Sequence, residues 1–290
     1  MLLDQIINGL TVGSVYTLVG VGYTLIYGVL GLINFAHGAI YTAGAYFAFT
    51  LLATWNTGFT LAFLLAMVLT AILGMVVEKV AYYPLRHARL DCQVISVFGT
   101  AIVLENVIML VWGSKPRPFP ADILASTVRV GSFTFSMIQL AMFATALGTM
   151  VILYLLVYRT KVGIAMRACS MDNETANLMG VDIERLRLGT FALSAALAAS
   201  AGTLIGIYYR MVSFNMGLSV VIKAFVVAIT GGIGNIVGAF FSGLVLGQIE
   251  SLGAAYVSSG YRDAFVYVVL ILLLLFKPGG LFGKLTQEKV

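Results

Sequence analysis

Nine apolar stretches divide this chain, and most of its charged residues fall at their ends. They run approximately Ile6–Ile33, Ala39–Leu52, Thr60–Val80, Val94–Trp112, Phe133–Tyr158, Gly189–Tyr209, Leu218–Ile233, Ile236–Ser251 and Ala264–Phe276. A helix needs about 20 apolar residues to cross a hydrocarbon core. Only 10% of the 290 residues are charged and 60% are hydrophobic, with mean hydropathy +1.01. A soluble domain carries roughly 25% charged residues, so this composition cannot build a water-facing surface. The expected fold class is all-α: a polytopic membrane protein with eight or nine transmembrane helices, some of them short or broken, in one transmembrane domain over residues 1–290. The second run and the two before Tyr256 are short enough to be half-helices. The 31 glycines suit close approach of spanning helices. Gly238/Ser242 and Gly243/Gly247 are spacings of that kind.

The net charge of +5 sits at the ends of apolar runs, where orientation signals lie, so it does not point to nucleic acid. One side of the membrane carries Lys79, Arg86, Arg89, Arg159, Lys161, Arg167, Arg185, Arg187, Lys277, Lys284 and Lys289. The other carries Lys115, Arg117, Arg129, Arg210 and Arg262. Eleven against five makes the richer side cytoplasmic and puts the C-terminus inside. Nine crossings put the N-terminus outside and eight put it inside. The opening MLLDQIINGL lacks a basic region and a small-residue cleavage site, so no cleaved signal peptide is read. Cys92 and Cys169 fall in short polar stretches on the cytoplasmic side, where no disulfide is expected.

Two connections exceed a tight turn. Residues 113–132 form an external loop stiffened by Pro116, Pro118 and Pro120. Residues 160–188 form the largest polar segment, on the cytoplasmic side. Its middle, Arg167–Met179, reads as a helix that ends at Gly180, the residue type favoured just past a helix C-terminus. Ala168, Met171, Thr175, Leu178 and Met179 recur at three- and four-residue steps, opposite Asp172, Asn173 and Glu174. An exposed short helix with such a stripe can dock in a groove of a soluble partner; the alternative is a loop helix packed on its own bundle.

Ionisable residues inside spans cost about 2.5–3.5 kcal/mol at a helix centre on insertion scales, so they face protein or water. Glu105 and Lys223 lie within runs, and Glu250 sits towards the end of its own. A structural role is the favoured reading, either a Glu105–Lys223 pair that sets helix register or a lysine that snorkels to the outer surface; contact with a zwitterionic solute on a translocation path is the other. Asn34-Phe35-Ala36-His37-Gly38 interrupts the first two runs, with Asn34 and His37 either lining a path or belonging to a connecting turn. Gly231–Asn235 is open to the same two readings.

Enzymatic chemistry finds little support. His37 and His87 are the only histidines, so no H-E-x-x-H site exists, and no G-x-S-x-G elbow occurs. No metal site is expected from the two Cys and two His. The nearest approach to a phosphate-binding loop ends in Gly283-Lys284, but Pro278 takes its first glycine position and Leu285 its last. An energy source has to come from a partner or an ion gradient, the latter in a stand-alone channel or secondary transporter.

Three long segments carry a resemblance: GYTLIYGVLGLINFAHGAIYTAGAYFAF (Gly22–Phe49), RACSMDNETANLMGVDIERLRLGTFALSAALAASAGTL (Arg167–Leu204) and KAFVVAITGGIGNIVGAFFSGLVLGQIES (Lys223–Ser251). With EKVAYYPLR (Glu78–Arg86) and FKPGGLFG (Phe276–Gly283), they resemble the branched-chain amino acid ABC permeases of the LivH type over nearly the whole chain. Ala39 stands where relatives often have an acidic residue, and Val237 where they often have Pro. The resemblance implies a permease subunit of an ATP-driven importer in the bacterial cytoplasmic membrane. It implies a second related permease, two ATPase subunits that bind the ATP, and a periplasmic binding protein, with no cofactor in the permease. Related permeases carry urea, short amides or other small solutes. The resemblance makes residues 167–181 the ATPase-coupling element, with Arg167, Asp172, Glu174, Ala176, Leu178, Met179 and Gly180 as its candidate residues. Gly38, Gly231, Gly232 and Gly234 become structural turns, and Asn34, His37, Glu105, Lys223 and Glu250 the polar candidates of the path.

Overall fold

A computed structural model describes residues 2–31, 33–86, 88–120, 126–130, 133–277 and 279–282. His87, Lys284 and Lys289, counted above, lie outside the described residues, as does part of the external loop. Each apolar run becomes a helix. In chain order they are α1 (Leu2–Leu30), α2 (His37–Ala53), α3 (Phe59–Val77), α4 (Leu90–Trp112), α5 (Met137–Arg159), α8 (Ile183–Tyr209), α9 (Met216–Gly231), α10 (Ile236–Tyr256) and α11 (Arg262–Phe276). The short helices α6 (Lys161–Met171) and α7 (Asn173–Leu178) occupy the polar segment between α5 and α8.

Among the described residues, seven helices are long and apolar enough to cross a membrane. Helices α2, with 17 residues, and α9, with 16, fall short, while α11, with 15, reaches span length only together with the 3₁₀ turn Ser259–Tyr261 before it. At 1.5 Å per residue α2 and α9 each span roughly 25 Å, less than a ~30 Å core. Of the runs expected to be half-helices, the second and the one at Leu218–Ile233 are therefore short, whereas α10 is a full helix of 21 residues.

Helix ends follow their local chemistry. The Thr160 hydroxyl accepts from the Gly163 amide to start α6, and the Asn235 side chain accepts from Gly238 to start α10. Ser136 and Gln139 form a reciprocal capping box at the head of α5. After Val77 the α3 helix widens into a π-turn over Glu78–Tyr82 and tightens into a 3₁₀ turn at Tyr83–Leu85, where Pro84 has no amide to donate.

Helices α1 and α8 form the centre, almost wholly inside the protein, while α4 and α11 present most of their surface outward. Small residues permit the contacts at the centre. A methyl group on Gly247 or Gly243 would run into the α1 backbone at Gly13 or Thr17. The starts of α2 and α9 touch through Gly38 and Gly217, where a side chain on either glycine would collide with the other's carbonyl. One end of the bundle carries a small ribbon: β1 (Arg117–Pro118) pairs antiparallel with β4 (Met211–Val212) and ties the Pro-rich loop to the α8–α9 connection. Phe119 follows into the core, its amide bonded to the Arg210 carbonyl at 3.0 Å. A hairpin of β2 (Thr127–Val130) and β3 (Phe133–Ser136) leads into α5.

Candidate functional site

At the opposite end from the ribbon, the polar segment folds as an elbow rather than the single helix its sequence suggests. The break falls at Asp172, whose backbone is extended (φ −161°, ψ 112°). Its carboxylate accepts from the amides of Glu174 and Thr175 at 2.9 and 3.2 Å and from the Thr175 hydroxyl at 2.6 Å. A side chain that satisfies three donors at once starts a new helix in preference to continuing the old one. Those bonds, the Thr175 side chain first, hold the Asp172 carboxyl below its ordinary range. The second arm ends as expected: Gly180 has φ +88°, and its amide bonds back to the Asn177 carbonyl at 2.9 Å.

The elbow divides the stripe expected of one helix. Met166, Cys169 and Ala176 are buried and seat the two arms on the bundle. Met171, Leu178 and Met179 are among the most exposed large apolar residues, each more than 80% accessible. Arg167 and Glu174 are exposed beside them, and Arg167 lies over the Tyr158 ring at 5.5 Å. Beneath the elbow is a polar cleft of about 700 Å³ between α7, the π-turn and the start of α8. Glu78, fully buried in that wall, faces Arg187 of α8 at 3.5 Å. Burial raises the pKa of the Cys169 thiol; Cys92 is free and exposed at the head of α4.

Towards the ribbon end, four charges and two phenols meet. Lys223 of α9 reaches Glu250 of α10 at 3.0 Å, Asp263 of α11 at 2.6 Å and the Tyr16 hydroxyl of α1 at 2.8 Å. These use all three of the ammonium's donors. Tyr16 donates to the same Glu250 oxygen at 2.6 Å. Arg262 pairs with the other Glu250 oxygen and donates to the Tyr209 hydroxyl at 3.3 Å. The expected Glu105–Lys223 pair does not form. Glu105 lies on α4 beside the Gly38–Gly217 contact, lining a small cavity with Phe35 and Thr42, while Lys223 opens to the other side of α9. Lys223 and Glu250 lie on α9 and α10, two helices joined by the tight Gly231–Asn235 turn, and face each other across that hairpin. Glu250 was legible as a polar candidate; Arg262 and Asp263 were not, because they precede the last apolar run and look like loop charges. Tyr16 gave no signal among 14 tyrosines.

Asn34 and His37 lie inside the protein, His37 edge-on to Tyr23 with ring centres 6.0 Å apart. The backbone break between α1 and α2 is thus held in protein, as an irregular segment at membrane depth requires. Gly231–Asn235 joins α9 to α10 directly. Gly232 and Gly234 take φ +85° and +78°, values that L side chains rarely adopt. Residues 279–282 fold over this turn, with the Leu281 amide bonded to the Thr230 carbonyl at 2.8 Å.

Among the described residues no group of His, Cys, Asp or Glu is arranged to hold a metal ion. A helical bundle with seven helices of span length, an exposed elbow at one end and a buried charge cluster towards the other has the make-up of a multi-pass membrane protein. The chain belongs to the family described as branched-chain amino acid transport system / permease component, which matches residues 5–274. It is 39% identical to the high-affinity branched-chain amino acid transport system permease protein BraD of Pseudomonas aeruginosa, over 99% of this chain and 98% of that protein. It is 37% identical to the permease protein LivH of the corresponding system of Escherichia coli, over 99% and 97% of the two chains. A more distant relative is the permease protein LivM of Salmonella typhimurium, at 26% identity over 93% of this chain and 68% of that one. The family is a transport family, and its members are permease components rather than enzymes.

Proposed function

We propose that this chain is a transmembrane subunit of an ATP-driven importer for branched-chain amino acids, forming part of the translocation path and taking its motion from separate ATPase subunits. The observation that carries the reading is the elbow of α6 and α7. It stands outside the apolar spans, is seated on the bundle by Met166, Cys169 and Ala176, and leaves Met171, Leu178 and Met179 uncovered. Three large apolar side chains at the tip of a capped, polar element suit a groove in a soluble partner. The elbow packs directly on α1, α5 and α8, so a force on it reaches three spans.

Kinship at whole-chain length with BraD and LivH supports the amino-acid substrate. Similarity to LivM as well supports pairing with a second, related permease. ATP and the soluble binding protein then belong to partners. The bundle alternates between openings because the partners hold one state more tightly than the other. The importer sits in the bacterial cytoplasmic membrane, with the elbow and the C-terminus on the cytoplasmic side and the ribbon outside.

The test is Leu178→Glu, which places a charge in the docking tip. Leucine uptake in vesicles falls at least tenfold and ATPase subunits no longer co-purify, while the amount of membrane-inserted protein stays as in the parent. Normal uptake with normal co-purification overturns the reading. A stand-alone channel or ion-coupled carrier shows itself by uptake that continues without any ATPase subunit.

A further inference from the structure

We propose that the cavity beside the Lys223–Glu250–Arg262–Asp263 cluster is a transit site for an α-amino acid zwitterion, a proposal that rests on the importer reading above. The cavity is open, about 280 Å³, and lies between α1, α8, α9 and the head of α11. That is just below the ~300 Å³ lower end of sites for drug-sized ligands, which leaves room for one small solute. One wall is apolar, formed by Val12, Val15, Ile205, Met216 and Val220. The other holds two cations and two anions.

This combination selects for chemistry. The four charges sum to zero, so a solute carrying a single net charge gains little from the site's overall field. A solute with one charge of each sign on adjacent atoms, and an apolar remainder, meets complementary groups on both walls. The charges also differ in access. Lys223 and Glu250 are almost wholly enclosed, at 7% and 1% side-chain exposure, whereas Arg262 and Asp263 keep 38% and 54%. The enclosed pair holds the outer pair in place: Lys223 grips Asp263, and Glu250 grips Arg262. Asp263 retains carboxylate capacity for an ammonium group, and the Arg262 fork retains donors for a carboxylate. The apolar wall then receives a branched side chain. Lys223 and Glu250 act as positioning residues and do not themselves need to let go.

Such a site suits passage rather than storage. Every charge already has a protein partner, so the solute exchanges one set of contacts for another and leaves readily. The site is accordingly weak, with a dissociation constant on the order of millimolar.

The experiment measures binding by saturation-transfer NMR to the full-length permease, purified with whatever subunits accompany it and without the soluble binding protein. Leucine is the probe, compared with N-acetylleucine (amine blocked), leucine methyl ester (carboxylate blocked) and glycine. The parent protein binds leucine at least tenfold more tightly than either blocked form. Asp263→Asn abolishes the preference over N-acetylleucine, and Arg262→Gln abolishes the preference over the methyl ester. Because these changes disturb an ion-pair cluster, Val220→Phe provides a steric arm with all charges kept: leucine binding falls at least tenfold and glycine binding less than twofold. Equal affinity for all three leucine forms in the parent overturns the site, as does equal loss of leucine and glycine in Val220→Phe. Failure of the importer reading registers separately, as leucine uptake by the parent that needs no ATP.

Discussion

Lys223 illustrates how much one side chain depends on its surroundings. An ammonium group in a span requires compensation, and here it finds a phenol and two carboxylates within 3.0 Å. Removing Glu250 leaves Lys223 and Arg262 facing one remaining carboxylate at Asp263. Breaking one partner of a buried pair typically costs about 3–5 kcal/mol because the other charge stays buried. Glu250→Ala therefore lowers the stability of the detergent-solubilised protein by an amount in that range, read from its thermal unfolding. Glu250→Gln keeps the shape and part of the hydrogen bonding and loses less. Gly217 makes a complementary case without charge. A methyl group there meets the Gly38 carbonyl and the Thr42 hydroxyl, all backbone or short side chain with no room to yield. Gly217→Val abolishes the folded peak in size-exclusion chromatography, whereas Gly99→Ala, at a glycine with open space around it, leaves it unchanged. The sequence marked Lys223 and Glu250 as intramembrane charges because composition alone makes them conspicuous. It paired Lys223 with Glu105 since both lie within runs, and missed Arg262 and Asp263 since both lie at a run's edge.

At the scale of elements, the elbow is governed by local chemistry that reads in either of two ways. Arg167–Met179 has good helix formers and no proline, which favours one helix, yet Asp172 followed by Thr175 is also a capping sequence. The cap prevails because the Asp172 carboxylate satisfies the Glu174 and Thr175 amides and the Thr175 hydroxyl at once; Met166, Cys169 and Ala176 are buried on the two arms and would share one face of a straight helix as well, so their burial does not set the bend. The cap also carries a pH dependence. The Asp172 carboxyl titrates below its ordinary value of 3.8 in the folded protein, so its contribution is fully present above about pH 4 and is lost as pH falls through the lowered folded value. Hydrogen exchange at the Glu174 and Thr175 amides is therefore protected at pH 5 and less so near pH 3. Asp172→Ala is unprotected at both. Protection that does not change across this range in the parent would show that the carboxylate is not the cap. The ends of α2 and α9 show the opposite relation, since short length was visible in the runs and the contact between their starts was not.

The molecule as a whole has two dissimilar ends, and the proposed orientation sets the elbow end in the cytoplasm. Cys92 at the head of α4 lies on the same side as the elbow, because Gln93 next to it lines the cleft with Asn173 and Asp182. With the elbow in the cytoplasm, a membrane-impermeant maleimide labels Cys92 in inside-out vesicles and not in intact cells or right-side-out vesicles. Cys169 is buried and reacts slowly in both. The reverse pattern would place the ribbon inside and remove the elbow from any cytoplasmic motor. The sequence by itself determined that this chain is a multi-pass helical membrane protein, and approximately where its long apolar helices lie. Those properties follow from local hydropathy and chain length, which every residue reports without reference to distant ones. Only the tertiary structure decided which helices are central, which charges meet at Glu250, and that the polar segment bends at Asp172. Those depend on which faces of helices far apart in sequence come together, here through glycine contacts such as Gly13–Gly247 and Gly38–Gly217, and a one-dimensional pattern does not record facing.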